Sequence, residues 1–304
     1  MDALRGDLPD IPIEAERAQS EANAAAQLGV VIEPAPEDVR IATLWLPGPD
    51  GAPPVKVKVY RVTEPASAPR PVLVYCHGGG WTLGSVDSAE NDSHCAHLAK
   101  GGGAVVVSVD YRLAPENRFP AGLEDCYAAL EWVSANADLL GADPRRLAVG
   151  GGSAGGNLSA AVALKARDED GPKIALQLLE CPALDFTLSS ASIHAFDEDY
   201  PAIGQMAEGL WEKYLNSEDE RTNPYASPLL ADSLEGLPRA VILACEIDPV
   251  RDDGVRYADR LRQAGVSVEF KLYEGLLHGA STLTLMLPSA RAWRDQCVAA
   301  LRTV

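Results

Sequence analysis

Basic residues are scarce in this chain of 304 residues: 26 lysines and arginines stand against 44 aspartates and glutamates, a formal net charge of −18. Proteins that bind nucleic acid or an anionic membrane surface normally present a basic patch. The charge balance therefore argues against both kinds of partner and, more weakly, against strongly anionic substrates.

Long apolar runs and closely spaced cysteines are also missing. No apolar run reaches the roughly 20 residues that span a bilayer, and residues 1–20 are polar and acidic, unlike a secretory signal peptide. We predict a cytoplasmic protein with no metal, although one disulfide is compatible with the sequence. Several of the six cysteines lie in apolar runs, where a thiol behaves as a small buried hydrophobe. They are Cys76, Cys95, Cys126, Cys181, Cys245 and Cys297.

The apolar runs that are present are short and alternate with helical patterns. They predict strands at residues 39–46, 55–62, 72–75, 104–109, 147–149, 174–179, 240–245 and 266–273. Helical patterns cover residues 13–28, 93–100, 123–135, 204–215, 256–264 and 287–302. We predict that the first two strands form a hairpin. The alternation of the remaining strands with helices predicts an α/β fold, a mostly parallel sheet with helices on both faces. Ligands of such folds bind beyond the carboxyl ends of the strands.

The most informative stretch is Leu147–Leu158, where an apolar strand runs into glycines and an alanine-rich helix is predicted to begin after Asn157. It contains Gly151-Gly152-Ser153-Ala154-Gly155, which fits G-x-S-x-G, a sharp strand-to-helix turn that exposes a nucleophilic serine. The N–H after that serine faces a helix N-terminus, where donors are unpaired and negative charge is favoured. Ser153 is therefore a candidate nucleophile.

The same glycines allow a second interpretation. Gly150, Gly152 and Gly155 spell G-x-G-x-x-G between a strand and a helix, as in a dinucleotide site, and Glu180 after the next strand could bind the ribose. This motif lies in mid-chain, however, and a dinucleotide site leaves the other unusual stretches unexplained. We favour the nucleophile and predict no cofactor.

A nucleophilic serine needs a general base. In folds built on this turn the chain order is serine, acid, histidine. Two histidines follow Ser153: His194 lies in the long irregular stretch 182–225, whereas His278 follows a predicted strand in a loop flanked by glycines. His278 is the candidate base.

The base in turn needs an acid that orients it. Asp248 lies just past the strand 240–245, and Pro249 restricts the turn that follows. Asp252 and Asp253 are alternatives, but they would more naturally open the next helix, where acidic side chains are favoured. We predict that Asp248 is the orienting acid.

Acyl transfer also requires donors aimed at the developing oxyanion. Gly78, Gly79 and Gly80 follow the strand 72–75 and offer backbone N–H groups with no side chain in the way. The N–H of Ala154 is the second source. We predict that these four residues form the oxyanion hole.

Taken together, these motifs resemble the hormone-sensitive-lipase-like family of α/β-hydrolases, the bacterial family IV esterases. The matching residues run in consistent order from about Val72 to the C-terminus. They are His77-Gly78-Gly79-Gly80-Trp81, Leu83-Gly84-Ser85, Asp110-Tyr111-Arg112-Leu113-Ala114-Pro115-Glu116, Gly151–Leu158, Asp248-Pro249-Val250-Arg251-Asp252 and His278-Gly279. The resemblance implies an α/β-hydrolase fold with Ser153 as nucleophile, Asp248 as orienting acid and His278 as general base and then acid.

The resemblance also implies a helical cap over the strand ends. We expect a cap segment over residues 1–45, the core over 46–185 and 226–304, and a cap insertion over 186–225. Apolar residues suggest an acyl pocket for short or medium chains, although packing between cap and core explains each of them equally well. They are Trp81, Met206, Leu210 and Trp211.

Three positions depart from the family pattern. Gly152 stands where an aspartate is usual, Ala280 where a bulky aromatic residue is usual, and Cys181 where a tyrosine is common before the proline. None of them removes a group with an expected catalytic role. They affect the expected shape of the pocket and the substrate range, not the reaction class.

The sequence therefore predicts a carboxylesterase for small-molecule esters of short or medium chain length. An amidase or a hydrolase of bulky xenobiotic esters would use the same three residues. A receptor of this fold that has lost catalysis would lack the histidine, and His278 is present. A homodimer is compatible with the family resemblance.

Overall fold

Eight strands form one sheet through the protein. The computed structural model describes residues 11–199 and 209–304. The strands are β1 (Val39–Leu46), β2 (Val55–Val62), β3 (Arg70–Cys76), β4 (Val105–Asp110), β5 (Ala142–Gly152), β6 (Leu176–Glu180), β7 (Arg239–Ile247) and β8 (Val268–Leu277). Their order across the sheet is β1-β2-β4-β3-β5-β6-β7-β8. Strand β2 pairs antiparallel with β1 and with β4, and all other neighbours pair in parallel, so the predicted hairpin and mostly parallel sheet are confirmed.

Helices cover both faces of this sheet. They are α1 (Ile13–Gln27), α2 (Ala89–Gly102), α3 (Ala121–Ala135), α4 (Ala137–Leu140), α5 (Ala154–Asp168), α6 (Ala191–Asp199), α7 (its described part is residues 209–214), α8 (Arg251–Gln263) and α9 (Pro288–Arg302). Within the described part of the chain, none of them is long and apolar enough to cross a membrane.

The core has two apolar layers because alternate residues of a strand point to opposite faces. On β3, Val72 and Val74 belong to the layer that also holds the buried residues of α3, α5 and α8. Leu73 and Tyr75 belong to the other layer, with those of α2 and α9. A strand buried on both faces needs no polar alternation, which explains the continuous apolar runs in the sequence.

Three helices begin about one turn earlier than the sequence predicts. Helix α5 begins at Ala154, directly after Ser153, rather than after Asn157; α2 begins at Ala89 and α8 at Arg251. The additional turns carry few apolar residues, so they add little to a helical apolar pattern. Their polar side chains are engaged by neighbouring elements instead: on α2, Asp92 accepts hydrogen bonds from Lys58 and Tyr60.

The long stretch predicted as irregular contains helix α6, which the sequence analysis missed. Two carboxylates at the start of α8 hold the backbone on either side of Ala191, the first residue of α6. Asp253 accepts hydrogen bonds from the backbone N–H of Leu184, at 2.8 Å, and from the Ser190 hydroxyl, and Asp252 accepts one from the backbone N–H of Ser192 at 2.9 Å. Asp252 and Asp253 therefore tie this stretch to the core rather than serve as an orienting acid.

The carboxyl ends of the parallel strands meet at one edge of the sheet. The loop after β3 holds Gly78–Gly80. One residue of interest follows each of the next strands in the sheet: Ser153 after β5, Cys181 after β6, Asp248 after β7 and His278 after β8. Because these strands are neighbours in parallel register, residues distant in sequence lie side by side.

Candidate active site

Ser153 sits in a tight turn between β5 and α5. Its backbone φ is 55° and ψ is −116°, a conformation that L-residues rarely adopt, and its N–H donates to the Glu180 carbonyl oxygen at 2.8 Å. The turn passes so close to β3 that a Cβ atom on Gly155 would lie 1.9 Å from the carbonyl oxygen of Cys76. Glycine at that position is therefore a steric requirement for presenting Ser153.

The three residues predicted to act together are within hydrogen-bonding reach. His278 Nε2 lies 2.9 Å from Ser153 Oγ, and His278 Nδ1 lies 2.8 Å from Asp248 Oδ2. Asp248 is fully buried, and its other oxygen accepts the backbone N–H of Val250 at 2.9 Å. The His278 side chain is 33% exposed, so the serine end of this chain of hydrogen bonds opens to solvent.

The surroundings of His278 favour its protonated form. Burial opposes protonation, but the Cys181 sulfur and the Asp248 carboxylate beside the ring outweigh it and hold the pKa of His278 well above its ordinary value of 6.5. A base with a raised pKa is a stronger proton acceptor, and a larger part of it is protonated at neutral pH.

This shift predicts the acid limb of the pH profile. A general base must be unprotonated, so kcat/KM for an ester is expected to fall as the pH decreases through the pKa of His278, with its midpoint above pH 6.5. Steady-state rates between about pH 5 and 9 measure the midpoint, and melting temperatures over the same range separate titration from unfolding. A midpoint at or below 6.5 would contradict the raised pKa.

Backbone donors surround Ser153. Among the described residues, none of the N–H groups of Gly78, Gly79, Gly80 and Ala154 donates to a protein acceptor. Gly79 has a φ of +120°, and a Cβ there would lie 2.2 Å from the Leu83 carbonyl oxygen. The four amides are therefore available to an oxyanion at the site.

His77 holds the glycine loop in place. It is buried and stacks on Tyr111 with the ring centroids 4.3 Å apart, and the Tyr111 hydroxyl donates to the His77 carbonyl oxygen at 2.9 Å. Burial lowers the pKa of His77, which keeps its ring neutral. The loop is thus fixed by packing, and its amides are left unpaired.

Two arms of a cavity meet at Ser153 and His278. The apolar arm has a volume of about 110 Å³, and its walls include Trp81, Phe186 and Leu210. The second arm has a volume of about 470 Å³; we call it the polar arm because its lining includes Glu90 and Glu180, although Leu83 and Leu210 add apolar wall. A substrate at Ser153 can therefore place one end in each arm.

The predicted pocket residues fall into three groups. Trp81 and Leu210 line the apolar arm. Trp211 is not among the described lining residues: its ring lies 4.6 Å from the Arg221 guanidinium carbon and packs against it. Met206 lies outside the described residues. Helical spacing placed Leu210 and Trp211 in one apolar set, but only the fold decides which face of α7 meets the cavity.

Glu180 is committed to the core. The Tyr75 hydroxyl donates to it at 3.1 Å, His94 Nε2 lies at 2.9 Å and the Trp293 indole N–H donates at 2.5 Å. Burial opposes its ionisation, but these partners, His94 first, keep the pKa of Glu180 below its ordinary value. Its carboxylate is therefore unavailable as the ribose partner of a dinucleotide. His194 on α6 is exposed, and no contact joins it to Ser153.

The sequence analysis gave Cys181 no role, yet it lies beside the catalytic candidates. Its backbone φ is +37° and its side chain is buried. A hydrogen bond from Cys245 lowers the pKa of the Cys181 thiol to about 6. Among the described residues, Cys181, Asp248 and His278 form a group whose ligating atoms could hold a metal ion. In the sequence, the position of each residue just after a predicted strand was the signal that could have indicated this group.

Comparison with known proteins places the chain in a family. A model of the α/β hydrolase fold matches residues 73–282. Esterase LipI of Mycobacterium tuberculosis is 39% identical over 275 residues, which cover 90% of this chain and 84% of that protein. Carboxylic ester hydrolase LipN of the same organism is 40% identical over 299 residues, 96% of this chain and 77% of that one.

A solved structure agrees in both fold and length. The esterase of Pyrobaculum calidifontis is 37% identical and has a TM-score of 0.89. The match covers 99% of this chain and 95% of that esterase. The sheet order, the turn at Ser153 and these relatives lead to one assignment. The chain belongs to the α/β-hydrolase family, within its hormone-sensitive-lipase-like branch, and is a carboxylic ester hydrolase.

Proposed function

We propose that the enzyme cleaves esters through an acyl-enzyme formed on Ser153. The Ser153 oxygen attacks the ester carbonyl carbon while His278 Nε2 accepts its proton. The C–O bond to the alcohol breaks and His278 protonates the leaving oxygen. Water then attacks the acyl-serine with His278 as base, which releases the carboxylic acid and restores the hydroxyl.

The observation that carries this proposal is the unbroken chain of contacts from Ser153 through His278 to Asp248, at 2.9 and 2.8 Å. Asp248, buried and held by Val250, keeps the proton of His278 on Nδ1 and leaves Nε2 free to accept. The role of Asp248 is therefore to orient the ring and to stabilise the positive charge that develops on it.

Negative charge on the substrate oxygen needs donors that are already in position. The unpaired N–H groups of Gly78, Gly79, Gly80 and Ala154 surround the serine, and Ala154 begins helix α5. Removal of a single donor of this type typically costs about 10²–10³-fold in kcat. These amides support the proposed oxyanion hole.

The two arms support esters with a small acyl group. The apolar arm of about 110 Å³ fits a short to medium chain, and Leu210 closes it over the oxyanion loop, where a Cβ on Gly80 would lie 2.7 Å from Leu210 Cδ2. The wider polar arm fits the alcohol. In this proposal Trp81 and Leu210 set the acyl length.

Contacts of α1 support a cap built from two distant parts of the chain, residues 1–45 and 186–225. Arg17 donates to the carbonyl oxygens of Thr82 and Ala114 at 2.9 Å and pairs with Glu116 at 2.8 Å. These contacts hold α1 on the loops that follow β3 and β4. Residues 39–45 of the first range lie in strand β1, which pairs with β2, so the core takes them in together with 46–185 and 226–304.

A panel of p-nitrophenyl esters tests the proposed substrate range. We expect kcat/KM to be highest for acetate to hexanoate and at least about tenfold lower for dodecanoate, because a chain of that length exceeds the apolar arm of about 110 Å³. The corresponding p-nitroanilides are expected to react much more slowly. Equal rates for all ester lengths would contradict the proposed arm.

A matched pair of variants links that profile to the apolar arm. Leu210→Ala removes the side chain that closes the arm and is expected to move the optimum to longer esters. Leu139→Ala truncates a leucine on α4 that is 75% exposed, so the profile is expected to stay unchanged. The same shift in both variants would mean that a general loss of stability, and not the apolar arm, changes the preferred chain length.

A further inference from the structure

Cys181, Asp248 and His278 each follow one of three adjacent parallel strands, β6, β7 and β8. Their ligating atoms, one per residue, all lie within 4.8 Å of one another. Each residue is held by its own backbone contact: Cys181 N–H donates to the Leu243 carbonyl oxygen at 2.7 Å, and His278 N–H donates to that of Ile247 at 3.2 Å. The Asp248 carbonyl oxygen accepts the N–H of Arg251 at 3.1 Å. The arrangement exists without any rearrangement of the sheet.

Thiolate, imidazole and carboxylate together make a donor set suited to zinc. Zinc binds these atoms at about 2.0–2.3 Å in tetrahedral geometry, which places neighbouring donor atoms roughly 3–4 Å apart. Three protein ligands leave a fourth position open for water. Cadmium, a softer ion, binds the same donors and favours the thiolate further.

The ion has a route and a favourable field. Cys181 and His278 line the polar arm, which opens to solvent beside Ser153. No lysine or arginine is among the described residues of that lining. The formal net charge of −18 attracts cations to the surface, and the Asp248 carboxylate with a Cys181 thiolate balances the two positive charges of the ion.

We propose that Cys181, Asp248 and His278 form a binding site for a thiophilic divalent cation, such as Zn²⁺ or Cd²⁺, and that its occupation stops ester hydrolysis. Binding forms bonds from the ion to the Cys181 sulfur, to a ring nitrogen of His278 and to an Asp248 oxygen. Any proton on the Cys181 sulfur and the proton on the bound ring nitrogen of His278 go to solvent. His278, held by the ion, no longer relays a proton between Ser153 and the leaving group. The inhibition rests on the proposed function; the binding does not.

The inhibition is tested with zinc alone on the full-length enzyme. We expect micromolar Zn²⁺ to abolish hydrolysis of p-nitrophenyl butyrate and EDTA to restore it. Cys181→Ser, compared with its own uninhibited rate, is expected to need at least about tenfold more zinc, since a ligand is lost. Cys126→Ser, in the buried thiol of α3, is the control and should respond as the wild type. Equal sensitivity of Cys181→Ser and wild type would overturn the proposal.

Binding is tested separately from activity on the Ser153→Ala variant. We expect one equivalent of Cd²⁺ to produce the ultraviolet cadmium–thiolate charge-transfer band, and the added Cys181→Ala change to remove it while the melting temperature stays close to that of the parent. A band that survives loss of Cys181, or no band in the parent, would overturn the site. If Ser153→Ala instead keeps its esterase activity while the band forms, the proposed mechanism fails and the cation site stands.

Discussion

Replacing Ser153 with alanine is expected to lower kcat for p-nitrophenyl butyrate by about 10⁴-fold or more, since loss of such a nucleophile leaves only the oxyanion donors and substrate binding. The change removes one exposed oxygen at a turn and no buried contact. The melting temperature is therefore expected to stay near that of the wild type. Steady-state kinetics and thermal melts measure the two quantities on the same preparation.

A nearby serine provides the control. Ser281 lines the polar arm with His278, whose ring nitrogens are hydrogen-bonded to Asp248 and Ser153 instead, so Ser281→Ala is expected to keep most of the activity. An organophosphate such as diethyl p-nitrophenyl phosphate should label one serine of the wild type, in the peptide that contains Ser153, and none in Ser153→Ala. Retained activity in Ser153→Ala would show that another group attacks the ester.

The second large effect concerns folding. Gly155→Ala places a Cβ atom 1.9 Å from the carbonyl oxygen of Cys76 and 2.6 Å from that of His77. Both are backbone atoms at the point where β3 runs into the loop that carries the oxyanion donors, and neither can move away without shifting the end of that strand. We expect a loss of more than about 4 kcal/mol of unfolding free energy, seen in denaturant titration or as insoluble protein.

Gly152→Ala is the matched control in the same turn. Its Cβ would meet nothing closer than the Tyr75 hydroxyl at 3.7 Å and the Glu180 Cβ at 4.0 Å. We expect its unfolding free energy to lie within about 0.5 kcal/mol of the wild type. Equal damage from both substitutions would mean that glycine at 155 is needed for chain flexibility rather than for space.

The departures of the sequence from its family pattern differ in consequence. A Cβ on Gly152 would meet nothing closer than 3.7 Å, so the turn has room for the usual aspartate and does not depend on glycine at this position. Cys181 is more consequential, because it exchanges a large aromatic side chain for a soft metal ligand beside His278. Ala280 is buried next to His278-Gly279, and nothing in the structure assigns it a role.

The sequence by itself determined the chemistry that the chain can perform and the order of its parts. Apolar runs separated by helices predicted the parallel sheet, because strands buried on both faces must be apolar throughout. The glycines around Ser153 and after His77 marked the places where the backbone comes too close for a side chain. Chain order limited the candidates, and a position just past a predicted strand favoured Asp248 over Asp252 and Asp253 and His278 over His194.

Only the tertiary structure decided which residues meet across the sheet. In the sequence Asp252 and Asp253 were alternatives to Asp248, but in the structure they accept hydrogen bonds from backbone N–H groups on either side of the start of α6 and hold it. Trp211 faces Arg221 rather than the cavity, and Cys181 lies among the ligating atoms of Asp248 and His278. Periodicity and spacing describe one element at a time, whereas these contacts depend on how strands and helices from distant parts of the chain pack together.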